Sequence, residues 1–139
     1  MQGKTLVFTN GCFDILHRGH VTYLNEARKL GDALIIGLNT DQSVKRLNKG
    51  PNRPVNSEQD RKYVLENLKA VDCVQLFDGE TPLELIKLSR PQVLVKGADY
   101  SLETIVGAKE VISFGGKVLT INLVNGFSTT ATIKKMTEK

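Results

Sequence analysis

Residues 6–20 read LVFTNGCFDILHRGH, and this stretch joins a short apolar run to the start of a helical pattern. Leu6, Val7 and Phe8 form the run, and apolar residues then recur at helical spacing, at Val21, Leu24, Ala27 and Leu30. The chain contains two histidines, and both lie at this junction, as His17 and His20. A strand-to-helix turn requires neither of them, so we interpret the pair as functional.

Length and composition favour one compact domain over residues 1–139. The chain has 139 residues, of which 40% are hydrophobic and 24% charged, which suits a single globular core. No segment approaches the roughly 20 apolar residues that span a bilayer, and the start lacks a signal-peptide pattern. The two cysteines form no Cys-x-x-Cys pair. We therefore expect a cytoplasmic protein in a reducing compartment, with no membrane partner.

The net charge of +4 is mild, and the lysines are spread along the chain. Aromatic residues make up 6% of the sequence, too few for a stacking platform that would hold nucleic acid. This balance fits a polyphosphate pocket better than a nucleic-acid surface.

Apolar runs of strand length alternate with longer segments of helical period. The runs are continuous, which is typical of strands buried on both faces, and they cover residues 5–9, 33–38, 73–77, 92–95 and 117–122. Helices are predicted over 19–30, ending at the glycine cap Gly31, then from Ser57 with Asp60 as a capping box, over 104–114, and over 128–136. Thr81-Pro82-Leu83-Glu84 predicts another helix, with Thr81 as its cap and Pro82 as its first residue.

This order predicts an α/β fold, a Rossmann-like doubly wound, five-stranded, mostly parallel sheet with helices on both faces. Residues 39–56 form the one long irregular piece, and a loop of that length is usually functional or mobile. Ligands of such sheets bind beyond the carboxyl ends of the strands. The turn that carries both histidines lies at that edge.

The first turn has neither a dinucleotide fingerprint nor a P-loop. It has Gly11, which permits close backbone approach, then Asp14, and His17 and His20 at the helix start. Unpaired N–H groups and the positive end of the helix dipole already favour an anion there. Two imidazole donors would add to that, especially for an anion that gains charge during a reaction.

The sequence resembles the cytidylyltransferase-type nucleotidyltransferases, whose signature is His-x-Gly-His. Four segments carry the resemblance over nearly the whole chain: GCFDILHRGH, RPVNSEQDRKYVLENLKAVD, VKGADY and NGFSTT. Within the family, the motifs are most similar to those of the adenylyltransferases that make ADP-activated heptose, which are free-standing or fused behind a sugar kinase. Free-standing members often have extra N-terminal residues, so both a natural short form and a shortened chain fit this start.

The resemblance implies that a sugar 1-phosphate attacks the α-phosphorus of ATP and that Mg-pyrophosphate leaves, for synthesis of a bacterial surface polysaccharide. It implies ATP and a sugar 1-phosphate as partners, Mg²⁺ carried by the ATP phosphates, and possible homodimers. The expected catalytic residues are His17, His20 and Lys49, and Arg61 is expected to contact the substrate phosphate. The expected nucleotide-binding residues are Asn10, Gly11, Cys12, Phe13, Asp14, Gly19, Lys45, Lys96, Gly97, Asp99, Tyr100, Ser128, Thr129 and Thr130.

Several of these residues also have simpler explanations. His17 and His20 could be solvated or helix-capping histidines. Lys45, Arg46 and Lys49 could belong to a solvated loop, and Arg61 could pair with Glu58 or Glu66. Asp14 could lie near substrates or metal, or could interact with the helix dipole. Residues 96–100 could form a simple turn, and residues 128–130 could only cap a helix.

Two other functions stay open. One is a cytidylyltransferase acting on glycerol 3-phosphate or another small phosphorylated substrate, although residues 123–126 lack the basic residue that glycerol-phosphate enzymes carry there. The other is a non-catalytic nucleotide-binding module.

Overall fold

A computed structural model describes residues 3–47, 50–97 and 105–122. Five strands form one parallel sheet in the order β3-β2-β1-β4-β5. They are β1 (Leu6–Gly11), β2 (Ala33–Asn39), β3 (Cys73–Phe77), β4 (Val93–Gly97) and β5 (Lys117–Ile121). The helices are α1 (Arg18–Arg28), α2 (Asp41–Arg46), α3 (Glu58–Glu66), α4 (Leu83–Ser89) and α5 (Ala108–Ser113). The predicted Rossmann-like α/β class is confirmed.

Apolar side chains project from both faces of the sheet, as the continuous apolar runs predict. Along β1, Val7 belongs to one core cluster and Phe8 to the other. The first cluster packs against α1 through Leu24 and against α3 through Leu65. The second packs against α4 and α5, with residues such as Ile86, Ala108 and Val111. The helices therefore cover both faces, as predicted.

Three predicted helix boundaries are wrong. Helix α1 ends at Arg28, and its C-cap is Lys29, whereas Gly31 allows close packing, since a Cβ there would lie 2.7 Å from the Thr5 carbonyl oxygen. Pro82 is the N-cap of α4, so the predicted threonine cap lies one residue too early. Helix α5 begins at Ala108 rather than at residue 104, after an N-cap glycine with φ of 88°. At these three helix ends, packing against other parts of the fold determines where the helix begins or ends.

The segment predicted to be irregular contains helix α2. Thr40 caps this helix by accepting a hydrogen bond from the Ser43 N–H group. By contrast, the cap predicted at Ser57 is confirmed, because its side chain accepts from the Asp60 N–H group. The predicted last helix, 128–136, lies outside the described residues. No helix within the described ranges is long and apolar enough to cross a membrane.

Candidate active site

The predicted site lies at the carboxyl edge of the sheet, where β1 has β2 on one side and β4 on the other. Successive strands run outward in opposite directions from this point, which makes it the topological switch point of the fold. Asn10 and Gly11 end β1, and Lys96 and Gly97 end β4. The Lys96 ammonium group donates to the Asn10 carbonyl oxygen at 3.5 Å. These four predicted residues therefore come together at one edge.

The Asn10 side chain offers an acceptor at this edge. Its Oδ1 atom is buried and has no hydrogen-bond partner among the residues that the structure describes. A buried polar atom without a partner is costly and is uncommon in folded proteins. The Asn10 amide can therefore accept a hydrogen bond from a ligand.

The two histidines form a stacked pair at the first turn of α1. His17 is the N-cap residue, and its Nδ1 atom accepts from the Gly19 N–H group at 3.1 Å. His20 folds back, so that its Nδ1 atom accepts from the His17 main-chain N–H group at 3.3 Å. The ring centroids lie 3.9 Å apart. Hydrogen bonds within one helical turn thus hold both imidazoles.

Burial keeps these imidazoles neutral at pH 7. Desolvation lowers the pKa of His17 below its ordinary value. Desolvation lowers the pKa of His20 to about 4, and so does Coulombic repulsion from His17 when that ring is protonated. A neutral imidazole whose Nδ1 atom accepts a hydrogen bond carries its proton on Nε2. The site therefore has two neutral Nε2–H donors.

Phe13 packs against this pair. Its ring meets the His20 ring edge-on, with centroids 5.5 Å apart, and its backbone has the left-handed φ of 45°. A Cβ atom at Gly11 would lie 3.0 Å from the Phe13 ring. The sequence predicts that Gly11 permits close backbone approach, and in the structure the group that approaches Gly11 is the Phe13 ring. A left-handed φ at a bulky residue is strained and is typical of functional turns.

The Asp14 side chain is fully buried, and its carboxylate is occupied by internal donors. It accepts from Arg53 Nε at 2.8 Å, from the Val55 N–H group at 2.7 Å and from the Asn56 N–H group at 2.8 Å. These donors lie before α3, so neither sequence interpretation of Asp14 describes what its carboxylate contacts. The carboxylate thus links the first turn to the segment before α3, and the expected role of Asp14 in nucleotide binding stays a prediction.

The Arg61 side chain is also fully buried. Its Nη1 atom donates to the carbonyl oxygens of Cys12 at 2.9 Å and Asn39 at 2.8 Å. Its Nε atom donates to the Asn56 carbonyl oxygen, and Nη2 pairs with Asp41 at 2.8 Å. The alternative pairing with Glu58 or Glu66 is wrong. This guanidinium joins the ends of β1 and β2 to the segment before α3.

The remaining predicted residues divide into described and undescribed positions. Lys45 is exposed on α2, Cys12 is buried beside the Arg61 guanidinium, and Gly19 lies in the first turn of α1. Arg46, which the sequence groups with Lys45, pairs with Asp78, with Nη2 and Oδ2 3.3 Å apart. The positions outside the described residues are Lys49, Asp99, Tyr100, Ser128, Thr129 and Thr130.

Sequence reasoning gave no role to Arg53, Asn56 or Asp41. The signal was weak: a carboxylate that follows a buried strand needs a positive partner, but spacing does not identify which arginine supplies it.

The fold and the histidine pair define a nucleotide-binding α/β protein of the nucleotidyltransferase type. The profile of the cytidylyltransferase-like family matches residues 8–135, and this chain belongs to that family. It is 56% identical over 138 residues to the bifunctional protein HldE of Syntrophotalea carbinolica, and 57% identical over 135 residues to that of Methylobacillus flagellatus. These matches cover 99% and 97% of this chain but 28% of each relative, so the chain spans little more than a quarter of their length.

Solved structures have the same fold. A lipopolysaccharide core biosynthesis protein from Thermoplasma volcanium GSS1 is similar, with a TM-score of 0.73 and 29% identity, over 88% of this chain and 100% of that one. A pantoate-beta-alanine ligase from Francisella tularensis shares the fold, with a TM-score of 0.69 and 15% identity, over 99% of this chain and 67% of that one.

Proposed function

We propose that this chain is an adenylyltransferase that transfers AMP from ATP to a heptose 1-phosphate, giving ADP-heptose and pyrophosphate for lipopolysaccharide core synthesis. The observation that carries the proposal is the stacked His17–His20 pair at the start of α1, at the carboxyl edge of the sheet, in which both Nδ1 atoms accept main-chain hydrogen bonds and Nε2 is left as the donor. Similarity to the HldE proteins and to the lipopolysaccharide core protein supports the heptose substrate.

The chemistry follows from holding two anions together. The sugar phosphate oxygen attacks the α-phosphorus in line, and the bond to pyrophosphate breaks, with no covalent enzyme intermediate. We propose that His17 and His20 donate to the α-phosphoryl oxygens and to the departing oxygen. Negative charge builds on these atoms, and donors fixed in a partly buried site stabilise it.

The other cationic and polar residues are proposed to hold the nucleotide. Lys45 and Lys49 would reach the triphosphate, while Lys96 and Gly97 would bound the nucleotide beside β1. The same role stays a prediction for Asp99, Tyr100, Ser128, Thr129 and Thr130, and for Asn10, Gly11, Cys12, Phe13, Asp14 and Gly19 in and around the first turn.

Arg61 has a different proposed role. Its donors already reach three carbonyl oxygens and Asp41, so we assign it to positioning the walls of the site. A phosphate contact would require these bonds to break.

Members of such families use a divalent metal with the nucleotide. Among the described residues, no group of three His, Cys, Asp or Glu side chains could hold a metal ion, and the Asp14 carboxylate is occupied by Arg53 and two main-chain N–H groups. As the family resemblance implies, we propose that Mg²⁺ would be carried by the ATP phosphates. It would then neutralise charge on the pyrophosphate leaving group.

The test is pyrophosphate release with ATP, Mg²⁺ and D-glycero-β-D-manno-heptose 1-phosphate, with mass spectrometry to detect ADP-heptose. We expect strong preference for ATP over CTP and GTP. Turnover of CTP with glycerol 3-phosphate at a higher rate would instead assign a cytidylyltransferase. ATP binding without turnover of any phosphorylated substrate would assign the nucleotide-binding module. The single domain, the cytoplasmic location, the homodimer and the absence of nucleic-acid and membrane partners remain predictions from the sequence.

A further inference from the structure

We propose, on the basis of the transferase function above, that Arg53 is a positioning residue of the reaction. Its buried ion pair with Asp14 would fix the turn that presents the two histidines. Arg53 lies 33 residues beyond His20 in the sequence, and the tertiary fold brings it beneath the same turn.

The turn needs support from outside. Residues 12–17 belong to no helix or strand, and Phe13 within them has a left-handed φ of 45°. Such a conformation persists only where the surrounding structure holds it. His17 comes at the end of this turn, and it contacts His20 through its main-chain N–H group and its stacked ring. A small change of the turn would therefore move both imidazoles.

The support comes from residues 53–56, which contact Asp14 from several directions. Arg53 Nε and the Val55 N–H group both donate to Asp14 Oδ2, at 2.8 Å and 2.7 Å. The Asn56 N–H group donates to Oδ1 at 2.8 Å, and the Asn56 side chain donates to the Asp14 carbonyl oxygen at 2.7 Å. Four hydrogen bonds thus fix one residue that lies three positions before His17.

Because the Arg53–Asp14 ion pair is buried, we expect it to contribute more to the geometry of the turn than to net stability. The Arg53 side chain is 8% exposed and the Asp14 side chain is 0% exposed. Removing two charges from water largely offsets their attraction, so a buried ion pair is a poor source of net stability compared with apolar packing. What it supplies is a fixed distance and direction, which the histidine donors require to within a fraction of an ångström.

The chain offers a clean reporter, because its two histidines are both in the site. We would label the imidazoles with ¹⁵N and record their spectra in the full chain, with Arg53→Gln, Arg53→Lys and a control, Arg28→Gln. The control also breaks an Arg–Asp pair, that of Arg28 with Asp72 at 3.0 Å. Arg28 lies at the C-terminal end of α1, whereas the two histidines lie at its N-terminal end.

In Arg53→Gln we expect both imidazole spectra to change and kcat to fall at least about tenfold, with ATP affinity within about threefold of the wild type. Arg53→Lys keeps the charge and should recover part of kcat. The control should match the wild type in the spectra and in kcat.

Unchanged imidazole spectra and kcat in folded Arg53→Gln would overturn the proposal. So would a raised KM for the sugar phosphate with unchanged kcat, because Arg53 would then be a substrate ligand. If Arg53→Gln does not fold, Arg53→Lys is judged by the same criteria. If the wild type turns over no sugar phosphate, the proposed function fails, while the imidazole spectra still decide whether Arg53 orients the histidines.

Discussion

Replacing Arg61 by Met separates a positioning role from contact with substrate phosphate. Methionine keeps most of the aliphatic stem but removes every N–H donor. The carbonyl oxygens of Cys12 and Asn39 would then be buried without these partners, and Asp41 would lose its ion pair.

The cost can be worked out from these contacts. A buried acceptor left without a donor costs about 1–3 kcal/mol. Taking about 1–2 kcal/mol for each of the two carbonyl oxygens, and about 1 kcal/mol for the partly exposed Asp41, gives a loss of about 3–5 kcal/mol. Unfolding entropy is about 2.1 cal/mol/K per residue, or about 0.29 kcal/mol/K for this chain, so Tm should fall by about 10–17 °C.

Thermal unfolding followed by circular dichroism measures this loss, and steady-state kinetics below the transition measures KM. Lys62→Met, at the adjacent position of α3, is the control for charge and helix propensity, and we expect its Tm to change by at most a few degrees. An Arg61→Met variant with the Tm of the wild type and a strongly raised KM for the sugar phosphate would refute our reasoning. It would return Arg61 to the role that its sequence motif suggests.

Three further predictions concern the histidines and the last motif. His20→Ala should lower kcat by on the order of 10²–10³, about 3–4 kcal/mol, with little change in ATP affinity, and an equal loss of affinity in an ATP titration would contradict this. Because the folded pKa of His20 is about 4 and an unfolded histidine titrates at about 6.5, the unfolded chain binds more protons between these values. The free energy of unfolding should thus fall as pH falls through this window, and less so in His20→Ala, as urea denaturation at several pH values will show. Thr129→Val or Thr130→Val should weaken ATP binding by about 1–2 kcal/mol, whereas lost stability with unchanged affinity would make these residues helix caps only.

The sheet could be predicted from sequence because each strand is a local apolar run. The class, the five strands and the helices on both faces follow from runs such as residues 33–38 between polar segments. Helix α2 could not be predicted in the same way, since it has six residues and is anchored by distant groups. The Arg46 side chain pairs with Asp78, and the Asp41 N–H group donates to Glu58.

The histidine pair could be predicted because its geometry is local. Positions three apart at a helix start lie on the same side of the helix, so the two side chains are neighbours once the helix has formed. The contacts of Asp14 and Arg61 could not be predicted, because they depend on which segments the fold brings together. The sequence motif gives Arg61 a phosphate, whereas the structure gives it three carbonyl oxygens from segments up to 49 residues away.

Two arginines near the site make contacts within the protein, and this affects how the site can stabilise a transition state. Arg53 and Arg61 are committed to contacts within the protein, and the pair nearest the proposed α-phosphate is neutral. A cation at that position would already attract the triphosphate in the ground state, so part of its effect would fall on binding. A neutral Nε2–H donor interacts more strongly as negative charge grows on the phosphoryl oxygens, so it can also favour the chemical step. Under the proposed function, charged lysines would bind the triphosphate at the rim, while the two imidazoles would donate to the α-phosphoryl oxygens.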